Sequence, residues 1–190
     1  MKTPSHAIIN LAFLGKQQLQ QANLIIVTGG ILPDIPIFLF YFWAKYIARL
    51  PEATIWSKAY YQPFVQNIVA LFHSIPLAGI GWLIAYYLGW PSVQILFVST
   101  ILHSLGDLPV HNDDAHRHFF PFSNYRLISP ISYWDRKHYG SIVSLVEMLL
   151  VLLSTYHVFG LVNSYVGKIL LILVNGFYLI GALFFYVRSL

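Results

Sequence analysis

Apolar runs broken by short polar clusters set the rhythm of this chain. The first run is short: Ile8, Ile9, Leu11, Ala12, Phe13 and Leu14 lie in a segment from residue 3 to about 20. Thr3-Pro4-Ser5 reads as its start, with Thr3 as N-cap and Pro4 at the first helical position. Gln17-Gln18-Leu19-Gln20-Gln21 is a polar break, and residues 24–32 form a second apolar segment. Gly29-Gly30 near its end permits close helix packing or local unwinding. Pro33-Asp34-Ile35-Pro36 cannot continue a regular helix; two prolines fix a turn that presents the Asp34 carboxylate or lets it cap the next helix.

Residues 35–50 are apolar and aromatic but short against the roughly 20 residues of a span. With Lys45 and Arg49 they suit an interfacial helix or a span anchored at one end, residues 24–34 then being re-entrant. Residues 51–62 read as a loop. Residues 64–90 are long enough to cross a bilayer and hold His73, with Pro76 three residues later. Residues 93–110 form the next predicted span and carry His103 and Asp107. A polar insert follows over 111–140, and two further spans over 141–160 and 164–187. The expected fold is all-α and polytopic. It has about four to five membrane-embedded helices plus a short amino-terminal helix, in a single domain over residues 1–190.

Composition strengthens the membrane reading. Hydrophobic residues make up 57% of the chain and charged residues 9%, where a soluble domain carries about 25% charge. The net charge of +4 fits the Lys/Arg excess of cytoplasmic loops, so it does not argue for nucleic acid. Counting Lys and Arg places the 111–140 insert, and Arg188, on the cytoplasmic side of a bacterial inner membrane. The polar amino terminus predicts no cleaved signal peptide. With no cysteine in the chain, a metal site must be built from His and carboxylate.

Those residues are not scattered. His103 and Asp107 stand at i and i+4, on one face of a helix, and His111 lies one step further if the helix continues past Pro109. Imidazole and carboxylate at a membrane edge are costly to bury without a partner, and a metal ion is one such partner. Leu71-Phe72-His73-Ser74-Ile75-Pro76 and Ile101-Leu102-His103-Ser104-Leu105-Gly106 look alike, as if two helices faced one site. The expected metal ligands are His6, Asp34, His73, His103, Asp107 and His111, holding zinc or manganese. Asp34 and Asp107 would act in catalysis with Arg117. Arg126 and Arg136 are further candidates to clamp a phosphate. Asp113, Asp114, His116 and His118 either add ligands or solvate the loop. Asp135 and His138 sit near Trp134, and His157 belongs to the interface. Glu147, inside an apolar run, is open between ligand, partner of a ligand His and salt bridge.

The order of an early His, Pro33-Asp34 after a Gly-containing apolar helix, His73-Ser74 and His103-x3-Asp107 resembles the membrane-bound, LexA-binding, inner-membrane-associated hydrolase family. The sequence departs from it where Ile35-Pro36 replaces a second carboxylate. His-x3-Asp followed by His is also similar to the zinc-dependent phospholipase C and P1-type nuclease superfamily. A closer likeness is to a group of short bacterial membrane proteins. They share Thr-Pro-Ser-His (Thr3 to His6), His-x3-Asp-x-Pro-x-His-x-Asp-Asp (His103 to Asp114) and Ser-Pro-x-Ser-Tyr-Trp-Asp (Ser129 to Asp135). The resemblance implies metal-dependent hydrolysis of a phosphoester, soluble or lipid, at the inner-membrane face. The alternative is a non-enzymatic membrane protein that binds or transports metal or other ions.

Overall fold

The structure, a computed structural model, describes residues 1–16 and 20–187. Gln17, Gln18 and Leu19 of the polar break, and Arg188 of the topology argument, lie outside the described residues. All regular structure among the described residues is helical: α1 (Thr3–Leu14), α2 (Gln20–Ile31), α3 (Ile35–Phe42), a single turn α4 (Glu52–Thr54), α5 (Pro63–Phe72), α6 (Ile75–Tyr87), α7 (Pro91–Asp107), α8 (Gly140–Val158) and α9 (Tyr165–Val187). Three stretches are long and apolar enough to cross a membrane: Gln21–Ile47, Gly140–Val158 and Tyr165–Leu183, with α5 and α6 together making a fourth.

Several expected elements differ: the loop read over 51–62 is helical over Glu52–Thr54 and Ile55–Ala59, and the span expected over 93–110 is α7, which is not among the stretches long and apolar enough to cross. Residues 24–34 and 35–50 are not a re-entrant piece followed by an interfacial one; Gln21–Ile47 runs on for 27 residues. The prolines are absorbed rather than breaking the run. Pro33 sits in a tight 3-10 turn, Leu32–Asp34, and Pro36 falls in the first turn of α3, where its missing N–H has no partner to lose. Asp34 therefore lies near the middle of the run. The span expected over 64–90 is instead broken: α5 and α6 meet at 44°. His73 closes α5, and the Ser74 hydroxyl caps α6 by accepting from Leu77 N at 3.2 Å.

The helices that carry the polar residues are drawn together by small side chains and a buried polar seam. A Cβ on Gly29 would meet Leu96 O of α7 at 2.5 Å, and one on Gly30 would meet Ala7 Cα of α1 at 3.0 Å. These glycines set the separation of α1, α2 and α7, as small residues do where lipid removes the usual hydrophobic drive. Asn10 donates to Ser99 O and Oγ at 2.8 and 2.9 Å, and Ser99 Oγ donates to Ile26 O at 2.6 Å. Ile8, Leu11, Ile26, Val151, Val158 and Leu171 form the apolar core beside this seam.

Candidate metal centre

Each imidazole arrives on a different element. His6 lies in the first turn of α1, His73 at the α5–α6 break, His103 one turn before the end of α7, and His111 and His116 in the loop after it. α7 ends at Asp107, so His111 is not on its helical face. It still returns to the same carboxylate, with Nε2 3.1 Å from Asp107 Oδ1.

Asp107, 1% exposed, is the hub. Its Oδ1 faces His6 Nε2 at 2.9 Å and His111 Nε2 at 3.1 Å. The amino nitrogen of Met1 lies 2.6 Å from the same oxygen. Its Oδ2 faces His103 Nε2 at 3.2 Å and His73 Nε2 at 3.8 Å. Asp34 Oδ1 completes this second half, 3.5 Å from His73 Nε2 and 3.7 Å from His103 Nε2. His73 and His103, from the two look-alike segments, thus share one pair of carboxylates, and Ser104 Oγ donates to His73 O at 2.9 Å.

Three groups of donors lie close enough to hold an ion: His6, His103 and Asp107; Asp34, His73 and His103; and His73, Asp107 and His116. The outer nitrogens show how the imidazoles are set. His73 Nδ1 lies 2.9 Å from Val69 O and His103 Nδ1 2.8 Å from Gly30 O. A carbonyl only accepts, so each Nδ1 carries the proton, and in the neutral imidazole each Nε2 turns a lone pair inward. Both Nε2 atoms are buried without a hydrogen-bond partner, as is His6 Nδ1. Lone pairs aimed at carboxylate oxygens in a dry site repel unless a cation stands between them. The residues present therefore fit a divalent metal.

Asp34 takes no part in capping α3; its Oδ2 instead accepts from the Thr3 hydroxyl. Thr3 is correspondingly not the N-cap expected of it. Lys2 precedes the helix, and the Lys2 N–H donates to Glu147 Oε1 at 2.8 Å.

No family model, curated protein or solved structure matches this chain. The site must be read from its own atoms, and the loop over 108–139 is where most of the remaining information lies. The Ser129-to-Asp135 stretch clasps the segment that carries His111. Ser129 N donates to His111 O at 2.9 Å, Ser129 Oγ to Pro109 O at 2.6 Å, and Tyr133 N to Val110 O at 2.9 Å. Trp134 Nε1 donates to Asp114 Oδ2 at 3.1 Å, and that oxygen lies 2.9 Å from His111 Nδ1. Asp114 is thus an orienting group for His111.

Burial disfavours charge on His111, but Asp107 and Asp114 outweigh it and raise its pKa to about 9. Burial opposes ionisation of Asp114 too, yet the His111 hydrogen bond holds its pKa below the usual carboxylate range. Burial pushes His116 well below the ordinary imidazole range and His118 down to about 4, so both stay neutral. His116 joins the donors of His73 and Asp107; the spacing along α7 gave no reason to prefer it, and its His-x-His pairing with His118 was the available signal. His118 is buried beside it, with Nδ1 3.3 Å from His73 O.

The other candidates lie elsewhere. Arg117 donates to Asn67 and Asn124 at 2.7 and 3.0 Å, at the rim rather than among the donors. Asp113 is exposed. His138 pairs with Asp135 at 2.7 Å in its own turn. Glu147 is buried on α8, where Oε1 accepts from Lys2 N and from Ser5 Oγ at 2.5 Å, and Oε2 lies 3.3 Å from Lys2 Nζ. It anchors the start of α1 and, through it, the approach of His6.

Proposed function

We propose that this protein is a membrane-embedded, metal-dependent hydrolase acting on a phosphoester at the cytoplasmic face of a bacterial inner membrane, with zinc as the preferred ion. The observation that carries the reading is the set of inward, unpartnered Nε2 atoms of His73 and His103 facing Asp34 and Asp107. His6, His103 and Asp107, then Asp34, His73 and His103, then His73, Asp107 and His116 are the donor groups that would hold the metal, with His111 and the Met1 amino group meeting Asp107 Oδ1 beside them. Bound divalent ions would supply Lewis acidity toward a phosphoryl oxygen and bring the pKa of water down to about 7.

The chain's own residues then divide the work. The backbone carbonyls of Val69 and Gly30 hold the Nδ1 protons and fix the two imidazoles in the donor tautomer. Asp114 does the same for His111. Asp34, with 13% of its side chain exposed, is the acid of the set that water reaches, which makes it the group placed to accept a proton from an attacking water. The resemblance to the inner-membrane hydrolase family supports the same reaction class.

A metal-binding or ion-transport protein is the second reading. It is favoured by burial: His73 and His103 are 0% exposed and Asp107 1%, a closed surround more typical of a structural site than of a catalytic one. Elemental analysis of the detergent-purified protein, followed by a phosphoesterase screen on the metal-loaded form before and after chelation, separates the two. Stoichiometric metal with chelator-sensitive turnover is the expected result. Stoichiometric metal without turnover on any phosphoester favours the second reading, and no metal after resupply overturns the hydrolase reading and leaves ion transport.

A further inference from the structure

Two arginines are held, among the described residues, by neutral hydrogen-bond acceptors alone. Arg117 and Arg126 both reach the first turns of α5. Arg117 donates to Asn67 Oδ1 at 2.7 Å and Asn124 Oδ1 at 3.0 Å; Arg126 donates to Gln66 Oε1 at 3.0 Å and Ala115 O at 3.2 Å. Every one of these acceptors is neutral. Among the described residues neither guanidinium has a carboxylate within ion-pair distance, and both are held by successive residues of α5, Asn67 and Gln66. Arg117 is held over the Phe120 ring, 5.0 Å from its centroid, and its Nε is buried with no partner at all. Two like charges held by neutral acceptors on successive residues of one helix form an arrangement that costs free energy when empty and is relieved by an anion.

We infer that Arg117 and Arg126, framed by Gln66 and Asn67, form a phosphate-binding subsite separate from the metal centre. Asn67 and His73 are six residues apart, roughly 9 Å along α5 at 1.5 Å per residue. The guanidiniums are anchored by Asn67, Asn124, Gln66 and Ala115 and by none of the metal-site donors, so the subsite stands apart from the donor set. The subsite therefore holds a second anionic group of a larger molecule, or the headgroup of a membrane phospholipid. Guanidinium is suited to either, because its planar fork matches two phosphate oxygens at once. Phe122 and Tyr125, 69% and 59% exposed, lie between the two arginines along the chain and are aromatic rings of the kind that sit at headgroup depth. The inference does not rest on the hydrolase reading, since the subsite needs no metal.

The test is binding, measured by titration calorimetry on metal-loaded and chelated protein with two probes. One is inorganic phosphate on the detergent-purified protein. The other is phosphatidic acid in nanodiscs, against phosphatidylcholine alone. Arg117→Gln with Arg126→Gln is expected to weaken phosphate binding by at least about tenfold, as the loss of a charge-assisted hydrogen bond of 1.5 kcal/mol or more implies. The wild-type affinity is expected to survive chelation. A second variant guards against a folding defect: Gln66→Glu with Asn67→Asp gives each arginine a carboxylate. If the pair is only structural, this variant is at least as stable and binds phosphate like wild type. If the pair is an anion site, it folds and loses phosphate. Binding of phosphatidic acid without inorganic phosphate assigns the subsite to a lipid headgroup; binding of both assigns it to phosphate in general. Equal affinity in wild type and both variants, or binding that disappears with the metal, overturns the inference.

Discussion

Two buried acids tether the amino-terminal helix, and they are satisfied in opposite ways. Glu147 on α8 is surrounded by donors: the Lys2 N–H, the Ser5 hydroxyl, the Lys2 ammonium and, at 3.4 Å, the Tyr178 hydroxyl. Asp107 on α7 accepts from the Met1 ammonium on Oδ1, but its Oδ2 is faced by His73 and His103, which have spent their protons on Val69 and Gly30. Both acids are buried, at 2% and 1% exposure, so burial alone does not tell them apart. The direction of the protons does. A carboxylate ringed by donors is complete as it stands, whereas an oxygen faced by unpartnered Nε2 atoms, as Asp107 Oδ2 is, is complete only with a cation. By that criterion an intramembrane acid such as Glu147 is an anchor, although its position in an apolar helix is as unusual as that of Asp107.

The sharpest way to break this contrast is to exchange the two acids' fates. Asp107→Asn removes the charge shared by both halves of the donor set. It is expected to lower metal affinity by more than the roughly 100-fold that marks the upper end for an outer-shell partner, read as metal per chain after gel filtration. Glu147→Ala is expected to keep full stoichiometry at saturating metal. An Asp107→Asn protein that retains metal, or a Glu147→Ala protein that lacks it, would show that the proton directions do not separate the two sites. The next effect is on stability. Glu147→Ala leaves Lys2 N–H and Ser5 Oγ without their acceptor inside the protein, which is expected to cost about 1–3 kcal/mol in denaturation of the metal-loaded protein. A change within error would mean that water replaces the carboxylate freely. The smallest effect is expected for Lys2→Met. Its ammonium is 42% exposed, so the ion pair is screened and its loss is worth under about 1 kcal/mol. A larger loss would move the anchor's weight from the backbone N–H to the charge.

The arginine pair extends the same reasoning to cations. Lys45 pairs with Glu52 at 2.6 Å and is finished, like Glu147; Arg117 and Arg126 face neutral amides and are not, like Asp107. In each case the unfinished group marks the place where a ligand is expected.

What the sequence determined by itself is chemical inventory and local geometry. The apolar runs and low charge make a helical membrane protein. The absence of cysteine restricts any metal to His and carboxylate. The i, i+4 spacing of His103 and Asp107 is a property of one helix and needs no tertiary information. Pro76 and the His-Ser pair pointed to residue 73 without revealing that the span breaks there. Tertiary structure decided the rest, because it concerns convergence across long separations. Asp34 reaches His73 only because Pro33 and Pro36 are absorbed into a continuous run. His103 turns its Nε2 inward only because Gly30 brings a carbonyl to its Nδ1. His116 enters the donor set because Ser129 and Tyr133 clasp the loop, and Glu147 meets Lys2 because α1 packs on α8. Helical periodicity is repaid within a few residues, whereas these contacts join positions 18 to 145 apart along the chain, and their partners are chosen by which helix faces fit together.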